Sequence, residues 1–268
     1  MKILVIGDIV GRAGRRAVRK TLNDLDLTVD FIVANGENAA GGFGLTEDVV
    51  SELVDYGIDL LTTGNHIWDN KEIFEFIEET DDVIRPYNYP NPNPGVGFKI
   101  LKKNNFKLGV INLIGRVYLE NYDCPFKKGI EIIEKLTKKT DGIIVDFHAE
   151  ATSEKQALGR YLAGRVGAVF GTHTHVQTAD EKILSGGTAY ITDIGFSGAS
   201  DSIIGMHTEE PINQFLTQRS NRFKVATGNT ELSGIVIELE KETGQANFID
   251  RIKRYYENNY KNLIILII

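Results

Sequence analysis

The alternation in the first eighty residues limits the fold of this chain more than any other feature. Short apolar runs at Lys2–Ile6, Phe31–Ala34 and Asp59–Thr62 alternate with amphipathic stretches at about Gly14–Asn23, Thr46–Tyr56 and Asn70–Glu79. Short continuous apolar runs fit strands covered on both faces, and the segments between them have helical length and period. Thr46 is placed to cap the second helix. A βαβαβα order calls for parallel strands joined by crossover helices.

The second half is more mixed. A Pro/Asn/Gly loop spans Tyr87–Gly97, and a hairpin is expected from Phe98–Leu101 and Lys107–Asn112. Helices are expected near Phe126–Lys138 and Ser153–Leu162, with strands at Gly142–Phe147 and Ala168–Phe170. Thr188–Thr192, Leu232–Glu240 and Ala246–Arg251 read as an antiparallel end, and Pro211–Arg219 as a helix in an insertion at about 193–228. No linker divides the 268 residues, so the expectation is a single α/β (α+β sandwich) domain over 1–268, its sheets flanked by helices.

Charge and cysteine usage narrow the function. A net charge of −7 lacks the basic footprint of a duplex-binding protein, and any positive charge facing a phosphate would have to be local, as bound cations are. The lone Cys124 permits no intramolecular disulfide and no thiolate cluster, which fits a cytoplasmic protein. The opening MKILVIGDIV lacks the pattern of a signal peptide, and the closing NLIILII is too short to span a bilayer. That tail is expected to dock as a strand or to join copies in a homo-oligomer.

Metal-competent residues fall where strands end. Gly7-Asp8, Asn35-Gly36-Glu37-Asn38, Gly64-Asn65-His66, Phe147-His148 and Gly171-Thr172-His173-Thr174-His175 each follow a strand candidate. Strand ends of open α/β sheets converge on one edge, where ligands bind. Imidazole with carboxylate suits zinc, iron or manganese, and on an extended backbone His173 and His175 would point the same way. Taken singly, Asp8 reads as a turn residue, Glu37 as solvated, and His148 as a structural histidine. Four of the five histidines in these positions make the joint reading stronger, while His207 lacks the context. Arg12, Arg15 and Arg16 read as a solvated helix face or a contact between subunits. Phe43, Trp68 and Tyr87 could stack a nucleobase, though packing is the commoner use of such aromatics. The Gly7–Gly14 stretch looks like a dinucleotide loop, but its glycine spacing is wrong and Asp8 would repel a pyrophosphate.

These segments resemble the calcineurin-like metallophosphoesterase superfamily, whose pattern includes G-N-H, a later strand-end histidine and G-H-x-H. The matching residues are Gly7-Asp8, Gly64-Asn65-His66, His148 and Gly171–His175. The first motif lacks its histidine, Asn35–Asn38 replaces G-D-x-x-D, and Ile67-Trp68-Asp69 follows His66 where an acid is usual. That variant, with Thr192–Gly198 and Phe215-Leu216-Thr217, is similar to the YmdB-type subfamily of 2′,3′-cyclic-nucleotide 2′-phosphodiesterases. The resemblance implies αββα layers and two divalent or transition metal ions (Fe, Mn or Zn). Asp8, Glu37, Asn38 and His175 would bind one ion. Glu37 would bridge to a second, held also by Asn65, His148 and His173. His66 would bind no metal and would act on the phosphate.

Two ions about 3.5–4 Å apart acidify a shared water, and the hydroxide would attack phosphorus. His66 would assist the leaving oxygen. The expected substrate is a small phosphodiester, a 2′,3′- or 3′,5′-cyclic nucleotide, with no membrane or stable duplex partner. A phosphomonoesterase or nuclease on the same metals, or a regulatory protein signalling through the site, are the alternatives.

Overall fold

The chain in the computed structural model is described over residues 1–24, 28–103 and 105–258, so the apolar tail lies outside the described residues. In chain order its elements are β1 (Lys2–Ile6), β2 (Asp8–Ile9), α1 (Gly11–Asn23), β3 (Phe31–Asn35), α2 (Glu47–Asp55), β4 (Leu60–Thr62), α3 (Ile73–Phe76), β5 (Phe98–Lys103), β6 (Phe106–Ile114), α4 (Pro125–Leu136), β7 (Gly142–His148), α5 (Thr152–Leu162), β8 (Ala168–Thr172), β9 (Lys182–Leu184), β10 (Thr188–Ile191), β11 (Phe196–Ala199), α6 (Glu209–Thr217), β12 (Thr230–Leu239) and β13 (Ala246–Tyr256).

They form two sheets. The first runs β2-β11-β12-β1-β3-β4, with β13 also paired to β12, and the second runs β5-β6-β7-β8-β10-β9. The layering follows from side-chain alternation. On β1, Ile3 and Val5 enter the layer between the sheets, where they join Phe31, Val33, Leu108, Ile144 and Phe170. Leu4 and Ile6 face the other way and pack with Val18, Val50 and Leu53 of the helices. Across the molecule, Val145, Phe147 and Val169 pack under α4 and α5. Strands covered on both faces are continuous in apolar residues, and the result is an αββα sandwich.

β1, β3 and β4 are mutually parallel, as are β6, β7 and β8. The long antiparallel pair of β12 and β13 closes the chain. Thr46 caps α2, its hydroxyl accepting from the Val49 amide at 3.3 Å, and Asn105 turns the β5–β6 hairpin with φ 64°.

The structure corrects several expectations. β10 pairs parallel with β8 and antiparallel only with β9, so the antiparallel end begins later in the chain. α1 starts at Gly11, whose φ of +54° admits the sharp turn from β2. The helix expected over Asn70–Glu79 shortens to Ile73–Phe76. Its approach is wound by three-residue backbone bonds, and Asn70 Oδ1 takes the Glu72 amide, which diverts the backbone from α-helix. β2 and β11, two and four residues long, were too short to be legible. No helix among the described residues is long and apolar enough to cross a membrane.

Candidate metal centre

Seven residues singled out at strand ends meet at one edge of the sandwich. Asp8, Glu37, Asn38 and Asn65 arrive from the first sheet, after β1, β3 and β4. His148, His173 and His175 arrive from the second, at the end of β7 and just past β8. Asp8, Glu37 and His148 are buried. Gly64 makes the approach possible, since a Cβ there would lie 2.3 Å from both Glu37 Oε2 and His148 Nε2.

The contacts form two adjoining clusters. In one, His148 Nε2 is 3.0 Å from Glu37 Oε1, 3.0 Å from Asn65 Oδ1 and 3.0 Å from His173 Nδ1. In the other, Asp8 Oδ1 is 3.7 Å from His175 Nε2, and the Asn38 amide nitrogen is 3.3 Å from that same imidazole atom and from Glu37 Oε1. Glu37 stands between them. Asp8 Oδ2 accepts the His173 backbone amide at 3.2 Å, while Asp8 Oδ1 is buried with no hydrogen-bond partner. Rotating the Asn38 amide by half a turn would bring its oxygen to the same place as its nitrogen.

What the donors can do depends on where the imidazole protons sit, and the outer partners decide that. Asp146, buried on β7, takes hydrogen bonds from Asn35 Nδ2 at 3.2 Å, from Thr62 Oγ1, and from Thr172 Oγ1 at 2.7 Å. A hydroxyl that donates to Asp146 is free to accept, so Thr172 takes the proton of His148 Nδ1 at 2.9 Å. His173 Nε2 meets Glu150 at 3.0 Å, and His175 Nδ1 donates to the Ile204 carbonyl at 2.9 Å. Each imidazole therefore has its distal nitrogen committed as a donor and turns a lone pair inward. The inward set contains two carboxylates, three imidazole nitrogens and the Asn65 carbonyl oxygen. Such crowding of lone pairs calls for a cation, and the buried, unpartnered Asp8 Oδ1 supports the same reading. The residues fit a metal site on the chemistry of the donor set; Glu37, His148 and His173 alone bring ligand atoms within 4.8 Å of one another.

The buried carboxylates and imidazoles also shift one another's proton affinities. Burial favours neutral Glu37, but His148, His66 and His173 hold its carboxyl below the usual range. Burial likewise favours neutral His148, yet Glu37 and Asp8 lift it above the usual imidazole range. Burial and then the His148 charge push His173 down to about 3. Burial raises Asp8 despite His175 and His148, and raises Asp146 to about 6. A bound cation would serve these carboxylates and imidazoles in place of a shared proton.

His66 stands apart from the clusters. Its backbone amide donates to Glu37 Oε2 at 3.2 Å, and its Nδ1 is 2.8 Å from the Asp69 carboxylate. Asp69 thus supplies, three residues on, the acid missing after Gly64-Asn65-His66. Beside His66 opens a cleft of about 550 Å³, lined by the polar Glu37, His173 and His175 and by the apolar Phe43, Met206 and Phe215.

Other expectations fare differently. His173 and His175 do not lie on extended backbone. Their φ angles are 99° and 61°, and they converge through a bend held by Asp193, whose Oδ2 accepts from Thr174 Oγ1 at 2.7 Å and from buried Lys155 at 2.6 Å. Left-handed backbone at non-glycine residues is strained and persists where surroundings over-determine it. Phe43 reaches the cleft, but Trp68 stacks on Phe74 and Tyr87 hydrogen-bonds Glu131. Arg15 pairs with Glu52, and Arg16 donates to the Gly228 carbonyl. Sequence reasoning passed over Asp146 and Lys155, and gave no role to Thr172 and Asp193 within the segments it singled out. A charged residue inside the apolar strand GIIVDFH, two before His148 and on its face, was the available signal.

Comparison with known proteins places this arrangement. A sequence model for "YmdB-like protein" matches residues 4–252. The chain is 50% identical over 254 residues to a Bacillus subtilis (strain 168) protein named 2′,3′-cyclic-nucleotide 2′-phosphodiesterase, covering 94% of this chain and 96% of that one. A crystal structure described as a novel phosphatase, from Mycoplasma pneumoniae, superposes with a TM-score of 0.90 at 34% identity, over 97% of this chain and 95% of the other. The fold alone is shared with the calcineurin-like phosphoesterase YfkN from Bacillus subtilis, with a TM-score of 0.53 at 14% identity over 96% and 90% of the two chains.

Proposed function

Since the chain belongs to the YmdB-like protein family, we propose that it hydrolyses phosphodiesters of the cyclic-nucleotide class on a pair of divalent cations. It is a phosphoester hydrolase; the substrate and the metal count are our reading. The observation that carries it is the inward set of lone pairs, with three imidazoles each fixed from behind by Thr172, Glu150 or the Ile204 carbonyl.

Asp8, Glu37, Asn38 and His175 would hold one cation, and Glu37, Asn65, His148 and His173 the other. When bound, the cations would neutralise phosphate charge and supply an acidified water. The donor set of imidazole, carboxylate and amide suits manganese, iron or zinc. His66 has its Nδ1 committed to Asp69 and its ring on the cleft. Its Nε2 is therefore the group to give a proton to the leaving oxygen, a role worth about 10²–10⁴ in rate. Asp69 orients that ring, and Asp146 with Thr172 orients His148.

The test is metal content by elemental analysis, together with turnover of 2′,3′-cyclic, 3′,5′-cyclic and simple monoester nucleotides. Two metals per chain and preference for a cyclic diester are expected. Equal turnover of nucleoside monophosphates would favour a phosphomonoesterase, and a protein that takes up no metal would defeat the reading.

A further inference from the structure

We propose that the apolar part of the cleft adjoining the metal centre is a nucleobase subsite, so that the chain selects a whole nucleotide over a bare phosphodiester. This inference rests on the phosphodiesterase reading and deepens it. The cleft is lined by the polar Glu37, His66 and His173 and by an apolar side made of Phe43, Ile204, Met206, Phe215 and Phe223. Except for Phe43, that apolar side comes from the segment between β11 and β12, which includes α6.

Much of this apolar surface is open to water. Phe215 is 76% exposed, Ile204 50% and Phe43 39%. Exposed apolar surface beside a polar catalytic cluster marks a ligand site. The two ends are built as one unit. Ile204, with φ 47°, gives its carbonyl to His175 and lines the same cleft. Backbone bridges from Met206 to Ile203 and to Val225 brace the segment. Phe43 meets the His66 ring edge-on at 4.9 Å between centroids. A base stacked on this side therefore leaves its sugar phosphate beside His66 and the metal cluster. Gln214 is the neutral amide at that end able to address a base edge. Stacking accepts any base, because every base has an aromatic face, so purines should gain over pyrimidines only by their larger area.

The experiment compares 2′,3′-cyclic AMP with the 2′,3′-cyclic phosphate of methyl riboside, which lacks a base, on the metal-loaded protein. Wild type should favour the nucleotide by about tenfold or more in kcat/KM, mainly through KM. Phe215→Ala and Phe43→Ala should each shrink that ratio. Calorimetric binding of adenosine 3′-monophosphate against ribose 3-phosphate reads the same preference without turnover. If neither diester is hydrolysed yet adenosine monophosphate binds more tightly and Phe215→Ala removes the difference, the phosphodiesterase reading fails and the subsite stands. If both diesters turn over alike and the base adds nothing to binding, the subsite is wrong and the phosphodiesterase reading stands. Phe215→Ala that alters oligomeric state without altering base preference would assign the wall to contact between copies and overturn the subsite.

Discussion

The two sides of the cleft are built on opposite principles. At the metal-competent edge, Asp8, Glu37 and His148 are buried at the ends of paired strands, and each inward imidazole has a named partner behind it. The apolar wall sits on α6 and its flanking segment, and Phe215 there stands largely in solvent, as does its neighbour Leu216. Groups that must hold charge in fixed positions are placed where the scaffold cannot relax. Groups that would only offer contact area are placed on connections, which tolerate change. The contrast predicts that substitutions at the edge change metal content and turnover, and that substitutions on the wall leave the fold alone.

The largest effect should come from Glu37→Ala. It removes the carboxylate shared by both clusters, so elemental analysis should find at least one cation lost and turnover at background. Two metals per chain in that variant would mean that Glu37 does not bridge. His66→Ala comes next. Its backbone amide still serves Glu37, so metals should stay while turnover falls about 10²–10⁴-fold; an empty site would refute the assignment. Thr172→Val leaves every inward group in place but unties the His148 ring from Asp146. Metal affinity should fall about 10–100-fold, measured by chelator competition, with an unchanged circular dichroism spectrum. An unaltered affinity would show that His148 needs no such partner. Least of all, Leu216→Ala on α6, beside the wall, should shift stability by no more than about 0.5 kcal/mol in a denaturant titration. A loss of several kcal/mol would mean that α6 is packed against another copy of the chain.

The same contrast explains what was legible in the sequence. Buried parallel strands write themselves as apolar runs, and the layers could be read from Lys2–Ile6, Phe31–Ala34 and Gly142–Phe147. Asp8, Asn65, His148, His173 and His175 were visible because strand ends share an edge. The bend at His173 and His175 was not, because it is held by Asp193 and Lys155, distant in sequence and invisible to local periodicity. Asp146 was hidden inside an apolar run, where its partners Asn35, Thr62 and Thr172 belong to three other strands. The wall was the least readable region. α6 was anticipated as a helix at Pro211–Arg219, but nothing in its own pattern says that it borders a cleft.

The split origin of the cluster has one more outcome. Asp8, Glu37, Asn38 and Asn65 belong to one layer of the sandwich, and His148, His173 and His175 to the other. An ion gripped from both sides would rivet the two layers together at their open edge. Mass action then ties thermal resistance to cation supply, by about 2.7 kcal/mol at a hundred times the dissociation constant. Stripping the protein with a chelator should therefore lower its melting temperature, and refilling should restore it, even in the slow His66→Ala variant.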